Sequence, residues 1–286
     1  MLQIGDIQIE IVRDGIVHVD AGGPFGLTPR ALYHSILEPD ANNLIPMTLN
    51  CLVVYAVGKT IVIDTGLGEK LPEKFRRNWG LDRPQGNLLD GLGRLGLQAT
   101  DIDLVIDTHL HADHCLGNTI FTPDGDDVQA TFPKAEYVTQ RREYDDAMQP
   151  NERTRASYLP YNYQPLVERG QMRLLDGDTE ILPGIHGVIT PGHTPAHMAI
   201  RFESQGQHAL FVADLATYAV HFERLGWMTA YDVEPLITLE TKRHWQQWAL
   251  DHDALILFQH DPRMNAGRLV QDGERRRIEP VEVAIE

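Results

Sequence analysis

Apolar and polar positions alternate strictly over Ile7-Gln8-Ile9-Glu10-Ile11, the period-two pattern of a half-buried strand. Asp14-Gly15 then predicts a turn into a second strand, Ile16 to Val19, so a hairpin is the expected opening. Residues 21–46 scatter glycines and prolines among apolar positions, a long loop too apolar for a disordered linker. Phe25 is its candidate contact with a substrate cavity, the alternative being a loop that simply covers core. Asn50 to Val57 and Thr60 to Ile63 read as strands around Gly58-Lys59, and the second runs into Asp64-Thr65-Gly66. Helical spacing follows over Asn87 to Leu97, then a short apolar strand, Leu104-Val105-Ile106.

The second half repeats the mixture. Phe132 to Val138 is a predicted strand and Arg141 to Met148 a helix. Further strands fall at Ile185 to Thr190, Met198 to Phe202 and Ala209 to Ala213. A helix over Leu239 to Leu250, with Thr238 as its cap, precedes a last strand at Ala254 to Phe258. Strands clustered in each half with helices between predict an α/β chain of the α+β kind: two packed mixed sheets flanked by helices, forming one domain over residues 1–286.

Composition narrows the function classes. A 42% hydrophobic share supports a substantial core, and the net charge of −16 argues against nucleic acid, which needs a positive surface. No apolar run approaches a membrane span, and the N-terminus carries Asp6, Glu10 and Asp14 rather than a basic start with an apolar core. Cys51 and Cys115 form no disulfide framework, and Cys115 is expected to pack rather than ligate. A cytoplasmic protein acting on a small molecule, with a homodimer admissible, is the expectation.

The candidate chemistry lies directly behind Leu104-Val105-Ile106, where His109, His111, Asp113 and His114 occur within six residues. Imidazole and carboxylate are ligands for zinc and similar divalent ions. Alternate residues of a loop after a strand can share one cavity, which puts His109 and His111 on one side and Asp113 and His114 on another. That split predicts two metals. His193 in Thr190-Pro191-Gly192-His193, Asp214 after Leu210-Phe211-Val212-Ala213, and His260 after Leu255-Ile256-Leu257-Phe258 repeat the same context at other strand ends. His197 is read as structural, and Tyr218 and His221 are weighed as cavity-lining residues against a plain core role.

These ordered motifs, from Asp64-Thr65-Gly66 through the His109 to His114 cluster to His193, Asp214 and His260, resemble the dinuclear hydrolase branch of the metallo-β-lactamase superfamily. The resemblance implies an αββα sandwich with the site at one edge of the sheets. It implies one ion held by His109, His111 and His193, a second held by Asp113, His114 and His260, and Asp214 bridging both. Asp64 would orient a ligand histidine. Zinc is the first expectation for the two divalent ions, with iron, manganese or cobalt as alternatives. The implied reaction is hydrolysis by a metal-bridging hydroxide, with Asp113 as the catalytic carboxylate that orients the hydroxide or carries its proton.

Within the family, β-lactam-destroying members of the best-known subclass place Cys at the position of Asp214, and flavin-linked di-iron members carry Glu at that of His111. Glyoxalase II-like thioesterases append a domain after the last histidine, whereas 26 residues follow His260 here. The ligand set is similar to that of N-acyl-homoserine lactonases and organophosphate hydrolases, so lactone or ester hydrolysis is the leading expectation. Phosphotriester or thioester hydrolysis is the alternative, and a mononuclear iron enzyme resembling persulfide dioxygenases a further one. Thr217 stands where well-known lactonases have a substrate-contacting tyrosine. No fixed cation for a substrate carboxylate is identifiable, so β-lactam hydrolysis is expected to be slow or absent.

Overall fold

The computed structural model describes residues 1–286. Its core follows from period-two alternation within short strands. Ile61, Ile63, Leu104, Ile106, Leu255 and Leu257 point inward to a shared apolar layer with Ile200, Phe202 and Phe211. Val62 and Val105 point the other way, onto Leu88, Leu92, Tyr163 and Leu166. Leu210 and Ile256 likewise meet Trp245 and Ala249 of the long helix Pro235–Asp251. Two sheets are thus packed face to face, each with helices on its outer side, as the resemblance implied.

One seven-stranded sheet runs in the order Leu2–Ile4, Ile7–Asp20, Leu44–Ala56, Lys59–Ile63, Leu104–Ile106, Glu136–Gln140, Met172–Leu175. The other runs Thr179–Leu182, Ile185–Ile189, Met198–Ser204, Gln207–Phe211, Leu255–Leu257, Ala266–Asp272, Arg275–Pro280. Lys59–Ile63, Leu104–Ile106 and Glu136–Gln140 are parallel neighbours, as are Gln207–Phe211 and Leu255–Leu257. Parallel pairing brings the carboxyl ends of these strands to common edges, and there the chain places Asp64, the His109 to His114 loop, Asp214 and His260.

Several elements differ from the sequence-based expectation. Ile7–Asp20 is one continuous strand with a register shift between Arg13 and Gly15, not a hairpin. Asp14 is buried there, and its carboxylate accepts from the backbone N–H groups of Leu67 (2.9 Å) and Leu88 (3.1 Å) and from Arg83 (2.8 Å). An Asp-Gly pair signals a bulge as well as a turn. The loop after residue 20 contains two single-turn helices, Gly22–Phe25 and Arg30–Tyr33. The strand expected from Phe132 begins at Glu136. The last long helix begins at Pro235, a residue suited to a first turn, so Thr238 lies inside it rather than capping it. No helix is long and apolar enough to cross a membrane.

Candidate metal centre

His109 and its neighbours reach the site because Leu104–Ile106 ends in a buried loop that turns at once into the short helix Ala112–Cys115. His193 is presented by a tight loop: Gly192 has φ 137°, and a Cβ there would meet the backbone of Thr238. Asp214 follows Ala213, which is held at φ 44°, a costly conformation for a residue other than glycine. Four short chain segments therefore converge, and the seven candidate ligands are all buried.

They fall into two groups. His109, His111, His193 and Asp214 offer ligand atoms within 4.8 Å of one another, and so do Asp113, His114 and His260. Asp214 faces both: Oδ2 lies 3.0 Å from His193 Nε2 and Oδ1 lies 2.9 Å from His260 Nε2. Oδ2 is also 3.6 Å from His114 Nε2 and 3.9 Å from His109 Nε2.

The chemistry of this donor set fits divalent cations. His111 Nδ1 has two imidazole nitrogens at 3.0 Å, His109 Nε2 and His193 Nε2, and His260 Nε2 lies 3.3 Å from His114 Nε2. Convergent imidazole lone pairs repel unless a positive charge lies between them. Burial, then the neighbouring histidines, holds His109 and His111 well below the usual imidazole range. Burial also opposes charge on His193, but Asp214 and Asp232 outweigh it and raise that histidine to about 10. Carboxylates that call for positive charge, beside imidazoles that resist protonation, suit metal ions better than protons.

The far nitrogens of three candidate ligand histidines, His114, His260 and His193, are engaged by the protein, which fixes ring orientation. His114 Nδ1 meets Asp64 Oδ2 at 2.8 Å, and His260 Nδ1 donates to the Thr48 carbonyl at 2.7 Å. His193 Nδ1 meets Asp232 Oδ1 at 3.0 Å. Asp64 sits at φ 55°, and its carboxylate also accepts from the backbone N–H (2.8 Å) and hydroxyl (2.9 Å) of Thr108. Cys115 is buried and donates to the Leu110 carbonyl at 3.3 Å, a packing role.

A cavity of about 490 Å³ opens over His111, Asp113, His193 and Asp214. Its apolar wall includes Val19, Leu44, Met47, Trp79 and Val233, and Thr217 and Tyr231 also line it. Phe25, Tyr218 and His221 do not line this cavity, which corrects their expected placement. The Gly22–Phe25 turn folds Phe25 inward, where it stacks on Tyr33 (4.3 Å between centroids) and packs edge-on to His221 (5.4 Å). Phe25 and Tyr218 instead border a separate cavity of about 210 Å³.

Sequence reasoning missed three residues. Asp232 holds His193, and Glu143 is fully buried beside the ligand loops. Arg153 lines the cavity, its Nη2 donating to the carbonyls of Ala230 (2.8 Å) and Asp232 (3.1 Å). A cation therefore does face the substrate space, contrary to the expectation. None of the three stands in a ligand-like spacing, and only tertiary packing brings them to the site.

A family model described as "Metallo-beta-lactamase superfamily" matches residues 45–264. The curated N-acyl homoserine lactonase AiiA of Bacillus thuringiensis subsp. kurstaki is 26% identical over 245 residues, which cover 80% of this chain and 86% of that protein. Among solved structures, a "probable metal-dependent hydrolase" from Staphylococcus aureus superposes with a TM-score of 0.89 at 28% identity, covering 99% of this chain and 100% of its own. AidC, a dizinc quorum-quenching lactonase in complex with a product, has the same fold, with a TM-score of 0.80 at 20% identity over 99% of this chain and 97% of its own.

Proposed function

The chain belongs to the metallo-beta-lactamase superfamily and is a metal-dependent hydrolase, and from that premise we propose that it works with two divalent ions and cleaves a lactone or ester. The observation that carries the two-ion reading is Asp214, whose carboxylate reaches both groups, Oδ2 toward His193 and also His114, and Oδ1 toward His260. A mononuclear enzyme has no use for the second group, in which Asp113, His114 and His260 converge. Nitrogen and carboxylate donors suit zinc.

Bound there, the ions would supply Lewis acidity, making water a nucleophile near neutral pH and polarising the carbonyl under attack. The chain's own residues do the rest. His109, His111 and His193 would hold one ion, Asp113, His114 and His260 the other, and Asp214 both. Asp113, at the cavity surface, can pass a proton from the attacking water to the leaving alkoxide. Val19, Leu44, Met47 and Trp79 take up an apolar substituent and exclude water around it. Arg153 keeps guanidinium donors free to receive a substrate carbonyl or the carboxylate released.

A lactone or ester with an apolar tail fits this cavity, and lactone cleavage is the activity for which the curated relative is named. The test is kcat/KM for a medium-chain acyl lactone, an aryl ester, a thioester, a phosphotriester and a β-lactam at equal metal loading. The lactone or ester should be fastest. A fastest β-lactam, or no cleavage above the metal-free control, overturns the assignment.

A further inference from the structure

Glu143 lies in the first turn of the helix Arg141–Met148, next to the parallel strand whose end it extends, and is wholly buried. Its carboxylate has three partners. Oε1 accepts from the Leu110 backbone N–H at 3.0 Å and from the Tyr158 hydroxyl at 3.1 Å, and Oε2 accepts from the Thr194 hydroxyl at 2.6 Å. All three partners are neutral. Burying a carboxylate among neutral donors is costly, so a neutral residue would serve better if filling the space were all that was required.

The partners share a location. Leu110 is the residue between His109 and His111, and Thr194 directly follows His193. Tyr158 has its ring 5.0 Å from that of His111, and the Ala112 N–H donates to the Ser157 carbonyl at 2.9 Å. One carboxylate thus spans the two loops that carry His109, His111 and His193, and it braces the tyrosine packed on one of them. The other group is held differently, His114 by Asp64 and His260 by Thr48.

We propose that Glu143 is a positioning residue that clamps the His109–His111 loop to the His193 loop and so sets the affinity of one metal position rather than both. The inference rests on the two-ion reading. A carboxylate fixing the backbone on either side of a histidine trio does for the loops what a hydrogen bond to a far ring nitrogen does for one ring, and removing such partners costs about 10–100-fold in metal affinity.

Chelator competition with zinc on the full-length protein tests it. In Glu143→Ala one ion should keep its wild-type affinity and the other should weaken at least about tenfold. Glu143→Gln, which retains an acceptor for Leu110 and can pair with Thr194, should recover most of the loss. In a His260→Ala background, the one remaining ion should be the one that weakens. Folded Glu143→Ala that binds both ions as wild type does, or that weakens both equally, overturns the clamp. If Glu143→Ala does not fold, Thr194→Val decides: a weaker single ion supports the clamp and unchanged affinities overturn it. Wild type that binds one ion removes the two-ion reading, and the clamp then stands only if that ion weakens in Glu143→Ala.

Discussion

The backbone N–H of Asp214 donates to His197 Nε2 at 3.1 Å, and His197 Nδ1 meets Thr190 Oγ1 at 2.7 Å. Because Nε2 accepts, the ring carries its proton on Nδ1 and has no lone pair left for a metal. His197 therefore braces the strained turn at Ala213 that aims Asp214 at both ligand groups. Burial, then the neighbouring His193, pushes His197 down to about 3, so it stays neutral through the physiological range.

His197→Ala leaves the buried Asp214 N–H without a partner and opens space beneath it. An orphaned buried donor costs about 1–3 kcal/mol, so the denaturant midpoint should fall by a corresponding amount. The variant should also bind metal less tightly, because the Asp214 turn loses its brace. Unchanged stability and metal affinity would show that His197 does not support Asp214.

Asp214→Ala removes the one carboxylate that faces both groups. Partners outside the ligand set are worth about 10–100-fold in affinity or activity, and a shared ligand should be worth more, so kcat should fall by more than about 10²-fold. The far-UV spectrum should be unchanged. A variant that kept both ions and a near-normal rate would show that Asp214 is not shared.

Lys242 is a buried lysine that donates to the carbonyls of His221 (3.1 Å) and Trp227 (2.6 Å). Burial lowers it from 10.5 to about 8, with Asp232 opposing. A depressed lysine destabilises the fold while the native side chain must carry its proton, so the penalty is complete below pH 8. It is relieved between pH 8 and 10.5, where the unfolded chain binds more protons than the native one. The stability of wild type relative to Lys242→Met should therefore rise with pH across that window, by up to about 1.4 kcal/mol per unit. A flat difference in denaturant titrations from pH 7 to 10 would contradict it.

The candidate ligands were legible in the sequence because each comes just after an apolar run short enough to be a strand, and parallel strands deliver the residues at their carboxyl ends to one edge. His109 to His114 carried the signal by spacing alone. Of the residues that hold these candidate ligands, Asp64 was reached through the resemblance, but two others were not legible: Glu143 comes from a helix and Asp232 from an irregular loop, and neither has a local pattern that differs from solvated surface. Asp14-Gly15 misled because hairpins and bulges share the pair, and the choice depended on the distant N–H groups of Leu67 and Leu88. Phe25 misled because an apolar residue in a glycine-rich loop serves a cavity or a core equally well, and here it stacks on Tyr33.

Whether two ions share Asp214 is read from metal content per chain, by elemental analysis of metal-replete protein, for wild type and for His260→Ala. Two ions are expected in wild type and one in the variant. Wild type that saturates at one ion, or a His260→Ala protein that still holds two, would contradict the two-ion centre.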